Sequence, residues 1–290
     1  MAHSLMTRCP TCSSSKVNEL TQYQEDFLAQ CQNCTFVFSW KIPTTEELTK
    51  HYNSYNRHRY YSPITIKRYH TLLDQFEAYR KTNNILDIGC GGGVFLLEAK
   101  KRGWNVYGTE YTMEGVKFCA QKGIHMHQGL NPSNYGHPEN FFDVVTSLEV
   151  IEHMPSAKDE VASYYQLLRP GGIVYLTTPN FDSISRRLAK EKWNILEYPE
   201  HLCYYTRKTL SFLFQSAGFK RIDFSTTGIS FDRLKRNVGP INFSNDKKND
   251  EKLRVLAEEK PLFRLAKKIT NSLLTLTSKG DTLKAIFMKV

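Results

Sequence analysis

Between Asn84 and Phe224, short apolar runs alternate with stretches of helical periodicity, and this alternation narrows the fold more than any other feature of the chain. The spacing predicts strands over 85–88, 105–108, 124–127, 142–147, 172–177 and 219–224, and helices over 94–101, 113–121, 158–168 and 206–217. Strands joined through single helices pair in parallel, and the helices cover both faces of the sheet. Composition agrees with one large globular unit plus attachments: 290 residues, 40% hydrophobic and 23% charged. A last alternating run, Asp281–Lys289, reads as a further strand. Ahead of it lie a polar, basic stretch, 233–252, and an apolar helical pattern: Leu262, Leu265, Ala266, Ile269, Leu273 and Leu276. Residues 232–280 therefore read as a basic helical insertion before a final strand over 281–290.

The first strand runs into a glycine turn, Asp87-Ile88-Gly89-Cys90-Gly91-Gly92-Gly93, and then a helix. Glycines there permit positive φ and let a ligand approach the backbone. A bare glycine loop is shared by proteins that bind nicotinamide, flavin or S-adenosylmethionine (SAM). Three details favour SAM. Asp87 stands two positions before the first glycine, the spacing is G-x-G-x-G rather than G-x-G-x-x-G, and Glu110 follows the next strand, where a carboxylate can take both ribose hydroxyls.

With these residues in place the chain resembles the class I SAM-dependent methyltransferases, in the group that includes the ubiquinone-type O-methyltransferases. The matching segments are Leu86–Gly93, Tyr107–Glu110, Phe142–His153, Leu168–Gly172 and Tyr175–Asn180. The resemblance implies a doubly wound, Rossmann-like α/β sheet of seven strands with the last antiparallel, and a core over 84–231. It implies that Asp87, Gly89, Cys90, Gly91, Glu110, Tyr111, Leu130, Ser147 and Leu148 contact SAM. Glu110 would hold the ribose, and Ser147 and Leu148 the amino-acid end. Where many members carry an acidic residue after the third strand, this chain has Gln128-Gly129-Leu130-Asn131, so backbone atoms or Asn131 must read the adenine.

Ahead of the core, Cys9-x2-Cys12 and Cys31-x2-Cys34 are separated by 18 residues. Two such pairs suit a structural Zn²⁺ held by four thiolates, with residues 1–45 as a zinc ribbon. The same cysteines can be read as incidental thiols or a redox pair. A four-cysteine knuckle before this core also looks like a subgroup associated with sugar and surface-polysaccharide modification. Residues 46–83 form a Tyr-rich helical cap or linker, with Tyr55 and Tyr61 as candidates for contact with an acceptor. No apolar leader and no run of about 18 apolar residues is present, so a cytoplasmic protein is expected.

For an acceptor hydroxyl, the candidate bases are Glu149, Glu152 and His153, with His201 further on. A structural role is the plain alternative for both histidines. Together the four can also ligate a divalent cation, an arrangement similar to the E-x-x-E-H pattern of small-RNA 2′-O-methyltransferases. The net charge is +10, and 14 of the 39 Lys and Arg fall within 231–290, against 7 of the 29 Asp and Glu. Basicity confined to the C-terminal region, beside a knuckle that carries Glu19, Glu25 and Asp26, argues against nucleic acid as partner. It leaves a small-molecule or glycan acceptor, free or lipid-linked; the apolar face of 255–276 packs on its own sheet or on a second subunit, or makes a peripheral contact with the inner face of a membrane. An RNA methyltransferase and a module that holds SAM without turnover are the competing readings.

Overall fold

The computed structural model describes residues 4–53, 61–129, 136–229 and 261–290. The N-terminal unit contains β1 (Ser4–Leu5), β2 (Val17–Glu19), β3 (Leu28–Cys31), β4 (Val37–Ser39) and β5 (Lys41–Ile42). β1 pairs with β5, and β2, β3 and β4 form an antiparallel meander. Two helices lead to the core, α1 (Thr45–Asn53) and α2 (Pro63–Phe76). Ser62 caps α2 by accepting from Thr65 N–H, and Pro63 at the first helical position donates no bond that the helix needs.

The core follows the predicted alternation: β6 (Asn84–Ile88), α3 (Val94–Lys101), β7 (Asn105–Glu110), α4 (Met113–Ala120), β8 (His125–Gln128), β9 (Phe142–Leu148), α5 (Ala157–Leu167) and β10 (Leu168–Pro179). After it come α6 (Ile184–Ala189), β11 (Cys203–Tyr204), α7 (Arg207–Ser216), β12 (Phe219–Thr227), α8 (Pro261–Thr277) and β13 (Thr282–Lys289). The main sheet has seven strands in the order β12-β13-β10-β9-β6-β7-β8. β13 is antiparallel to both β10 and β12, between which it inserts.

Consecutive residues such as Ile85 and Leu86, Val144 and Val145, or Ile173 and Val174 point to opposite faces, and both faces are buried. That is why these strands read as continuous apolar runs. One face packs on α2 and α3 through Leu73, Phe76, Phe95 and Leu96. The other packs on α5 and α7, and its cluster extends into the N-terminal unit through Phe36 and Phe38. The turn into β6 is tied down by Asp143. Its Oδ2 accepts from the backbone N–H groups of Lys81, Thr82 and Asn83 at 2.7–2.9 Å, and its Oδ1 accepts from Arg169 Nε at 2.5 Å.

Two features differ from the sequence reading. The ribbon's sheet is not made from residues 1–45 alone. β11 adds to it as a fourth strand, Cys203 opposite Phe38 and Tyr204 opposite Val37. In α8, the apolar positions Leu262, Leu265, Ile269, Leu273 and Leu276 are exposed, Leu276 by 80%. The helix instead packs through the stripe beside them, Lys267, Asn271, Leu274 and Thr275, which are buried or half-buried. The reason is the edge strand β12. Thr275 Oγ1 accepts from Thr226 N–H at 3.2 Å and donates to Thr226 C=O at 3.0 Å, so the helix covers main-chain groups that a sheet edge leaves unpaired.

Candidate active site

The ends of β6, β7 and β9 meet at one edge of the sheet, beside the point where strand order reverses, which is where open α/β sheets leave a crevice. Gly89, Gly91 and Gly93 all have positive φ there. Gly89 N–H donates to the Thr109 hydroxyl at 3.0 Å, and Cys90 N–H to the Thr109 carbonyl at 2.9 Å, which pins the loop to β7. Glu110 bridges the same elements. Its Oε2 accepts from Gly91 N–H and its Oε1 from Tyr111 N–H, each at 3.1 Å. Gly115 in α4 makes room for that side chain, because a Cβ there would stand 2.5 Å from Glu110 Cγ. Tyr61 reaches this loop from the N-terminal side; its hydroxyl would lie 4.0 Å from a Cβ on Gly91.

Beneath the loop, Asp87 is buried and accepts a 2.6 Å hydrogen bond from the Thr146 hydroxyl. Burial pushes its pKa up to about 7; the Thr146 bond opposes this, and the nearby Glu110 charge adds to it. Ser147, on the adjacent strand, has a buried hydroxyl without a hydrogen-bond partner among the described residues. An orphaned buried hydroxyl, an acidic pair and a glycine loop suit the polar, cationic amino-acid end and the ribose of SAM. Cys90 contributes through its backbone. Its thiol is buried against Met126, with Sγ and Sδ 3.9 Å apart.

Beyond β9 the chain turns sharply at Glu149, a non-glycine residue with φ 56° whose N–H donates to Thr177 C=O. A short turn over 151–153 then sets Glu152 and His153. Glu152 is buried and accepts from the Thr178 hydroxyl at 2.9 Å; burial, and then the Glu149 charge, raise its pKa well above the ordinary carboxylate range. His153 lies between two carbonyls, with Nδ1 2.8 Å from Glu200 O and Nε2 3.2 Å from Glu149 O. Its ring is 4.9 Å from that of His201. His201 Nδ1 is 2.7 Å from Ile195 C=O, so Nδ1 carries the proton and Nε2 the lone pair. Glu152, His153 and His201 each offer a ligand atom within 4.8 Å of the other two; Glu149 stands outside this group and contributes its carbonyl. A second group, His51, Glu197 and Glu200, meets the same criterion, and His51 Nε2 lies 3.1 Å from Glu200 Oε2.

At the N-terminus, Cys9, Cys12, Cys31 and Cys34 converge within 4.8 Å, and the Cys9–Cys34 and Cys12–Cys31 sulfurs are each 3.5 Å apart. Four sulfurs at this spacing fit a tetrahedral Zn²⁺ with Zn–S bonds of about 2.3 Å. Cys34 is already drawn down to about 4, because Cys9 donates to it.

The structure thus gathers the candidate donor-site and base residues read from the sequence at one sheet edge and the four cysteines in the ribbon; Leu130, Asn131 and Tyr55 lie outside the described residues. Sequence reasoning missed Thr109, Thr146 and Thr178. Each is a fully buried hydroxyl in a strand interior, holding the glycine loop, Asp87 and Glu152 respectively, and β-branched threonine in a strand gives no signal of that.

A family model described as a methyltransferase domain matches residues 55–223, more than half of the chain. The ubiquinone biosynthesis O-methyltransferase of Aromatoleum aromaticum is 33% identical over 105 residues, covering 33% of this chain and 44% of that protein. Its counterpart from Thiobacillus denitrificans is 31% identical over 115 residues, covering 36% and 48%. The chain spans less than half the length of these relatives. A SAM-dependent methyltransferase from Archaeoglobus fulgidus superposes with a TM-score of 0.53 at 18% identity, covering 85% of this chain and 100% of that one. The [4+2]-cyclase SpnF superposes with a TM-score of 0.51 at 14% identity, covering 81% and 84%, so the same fold carries different chemistries. The family rests on the sequence match and on the site geometry: this chain belongs to the methyltransferase-domain family.

Proposed function

We propose that the protein is a SAM-dependent methyltransferase acting on a hydroxyl of a small-molecule or glycan acceptor. The observation that carries this reading is the Glu110 bridge between β7 and the glycine loop, set at the same crevice edge as the Glu152, His153 and His201 group. Asp87, Gly89, Gly91, Glu110, Tyr111, Ser147 and Leu148 would hold SAM, which supplies a methyl group already activated on a sulfonium. In-line transfer then needs alignment and a place for one proton. His201 Nε2 is the base, since its lone pair is fixed by the Nδ1–H bond to Ile195. His153 is a positioning residue, held between the Glu149 and Glu200 carbonyls. In a second reading, favoured by the 4.8 Å convergence, Glu152, His153 and His201 hold a divalent cation that acidifies the acceptor hydroxyl.

The four cysteines hold a structural Zn²⁺ that folds the ribbon. The exposed apolar stripe of α8, on a helix with Arg264, Lys267 and Lys268 and no acidic residue, suits an anionic membrane surface and an acceptor carried on lipid. No helix among the described residues is long and apolar enough to cross a membrane.

The test is calorimetric titration with SAM, followed by a methyl-release assay on hydroxylated acceptors. Wild type binds SAM and turns over. His201→Ala keeps SAM affinity and loses turnover by at least about 100-fold. Turnover that survives EDTA excludes the cation reading, and unchanged turnover in His201→Ala excludes this base.

A further inference from the structure

The side chains of Glu197 and Glu200 have no role in the proposed methyl transfer, yet they meet His51 at one point. The two glutamates stand in a tight turn, where the N–H groups of Glu200 and His201 both donate to Glu197 C=O, at 2.8 and 2.9 Å. His51 lies in the last turn of α1, 149 positions from Glu200, and its Nε2 is 3.1 Å from Glu200 Oε2. Glu197 brings a carboxylate oxygen to the same place, and the three ligand atoms lie within 4.8 Å of one another. Glu200 is buried, His51 half-buried and Glu197 exposed, so the group opens to solvent on the Glu197 side.

This geometry suits a cation. Adjacent ligands held at about 2.1 Å in an octahedral shell stand about 3 Å apart, close to the 3.1 Å between His51 and Glu200. One imidazole and two carboxylates, without sulfur, form a donor set for Mn²⁺, and also for Fe²⁺ or Zn²⁺. The charges of Glu149 and Glu200 both reach the buried Glu152, so the carboxylates of this region share one field, and clustered charge of one sign concentrates counter-ions.

α1 has a use for such an ion. Its start is fixed by Thr44, whose N–H donates to Glu47 Oε2 at 2.8 Å and whose hydroxyl accepts from Glu47 N–H at 3.2 Å. None of Thr45–His51 is buried, and a helix of nine residues draws little stability from itself. A link from its last turn to a fixed part of the core therefore decides where it lies. The Glu197–Glu200 turn is such a part: Glu200 C=O faces His153 Nδ1 at 2.8 Å, and Leu202 N–H donates to Glu152 C=O at 2.8 Å. We infer that His51, Glu197 and Glu200 form a divalent-cation site that fastens α1 to the turn carrying His201. It shares no side chain with the Glu152, His153 and His201 group, and it does not rest on the methyl-transfer reading.

The test uses the full chain as purified, without SAM, and Mn²⁺ as the probe, with bound ion counted by electron paramagnetic resonance. Mn²⁺ is the weakest first-row divalent competitor, so it leaves the four cysteines alone. Wild type is expected to bind Mn²⁺, and His51→Gln and Glu197→Gln should each weaken one site by at least about tenfold. Glu46→Gln, an exposed acidic residue earlier on α1, should match wild type. Glu197→Gln guards against a folding defect, because Glu197 is exposed. Its melting curve without metal reports that it folds, and Mn²⁺ should raise the wild-type melting temperature by more. Hydrogen exchange of the α1 amides should slow when Mn²⁺ is added to wild type and stay unchanged in His51→Gln. His201→Ala, which removes a ligand of the other group, should keep the His51-dependent ion. The proposal is overturned if wild type binds no Mn²⁺, or if His51→Gln and Glu197→Gln bind it as wild type does. It is equally overturned if the ion is lost in His201→Ala, which assigns it to the other group, or if α1 exchange ignores the metal. No SAM or acceptor is present, so none of these outcomes depends on methyl transfer.

Discussion

The Thr146 hydroxyl donates to Asp87 Oδ1 at 2.6 Å across two adjacent buried strands, directly beneath the glycine loop. This bond partly compensates a carboxyl group that burial holds at a pKa of about 7. The folded-state value is raised above the unfolded one, so the folded chain binds the extra proton between the two. The stability associated with Asp87 is present below pH 3.8 and is lost as pH rises through about 7. A tenfold change in acidity between the folded and unfolded chain corresponds to about 1.4 kcal/mol, so Asp87→Asn should stabilise the ligand-free protein at pH 8 by up to about 4 kcal/mol. Denaturant melts at pH 5 and pH 8 check this. SAM carries positive charge, so its affinity in wild type should rise as Asp87 ionises, with proton release seen by calorimetry in two buffers. A flat profile removes Asp87 from the donor site.

Glu110 is both a candidate ribose ligand and a brace for Gly91. Glu110→Ala should weaken SAM binding by about 1.5–3 kcal/mol, the range for a hydrogen bond to a charged group. Gly115→Ala offers a subtler check, since its Cβ would meet Glu110 Cγ at 2.5 Å and displace the carboxylate. A matching loss of SAM affinity, with circular dichroism unchanged, is the expected result. Equal affinity in both variants would place the ribose elsewhere.

The ribbon and the candidate base are mechanically joined. β11 completes the ribbon's sheet two residues after His201, and Ser39 N–H donates to Leu202 C=O at 2.8 Å. Metal analysis should find about one Zn²⁺ per chain. Cys31→Ser should lose that metal and also reduce turnover through His201, while SAM still binds at the glycine loop. If the metal is lost and turnover is unaffected, the ribbon does not position the base.

The parts of this fold readable from sequence are those whose cause is local. The apolar residues of 85–88 and 142–147 stand at consecutive positions because both sheet faces are covered, and Gly89 to Gly93 mark a turn that needs positive φ. β11 is two residues long and exists only because Phe38 and Val37, far away in sequence, lie beside it. No periodicity can report such a pairing. Helical periodicity alone puts Lys267 on the solvent-facing side of its helix. Its inward placement is decided by the edge of the sheet, where Thr226 bonds Leu274 and Thr275 and Gly228 N–H donates to Asn271, which leaves the apolar stripe outside.

That stripe supports the last prediction. Leu262, Leu265, Ile269, Leu273 and Leu276 are each more than half exposed on a helix with three basic residues and no acidic one. Self-association through this face would bring like charges together, whereas an anionic lipid surface takes both the leucines and the charge. Burying one leucine is worth about 1.5–3 kcal/mol. Leu262→Ser with Leu276→Ser should therefore weaken binding to vesicles containing anionic phospholipid by about 100-fold or more. Co-sedimentation with anionic and with zwitterionic vesicles measures this, and analytical ultracentrifugation of the same samples reports the oligomeric state. Wild type should sediment with anionic vesicles alone and remain monomeric without them. A wild type that ignores vesicles and dimerises, with the double variant monomeric, would show that a second copy of the chain covers α8 instead.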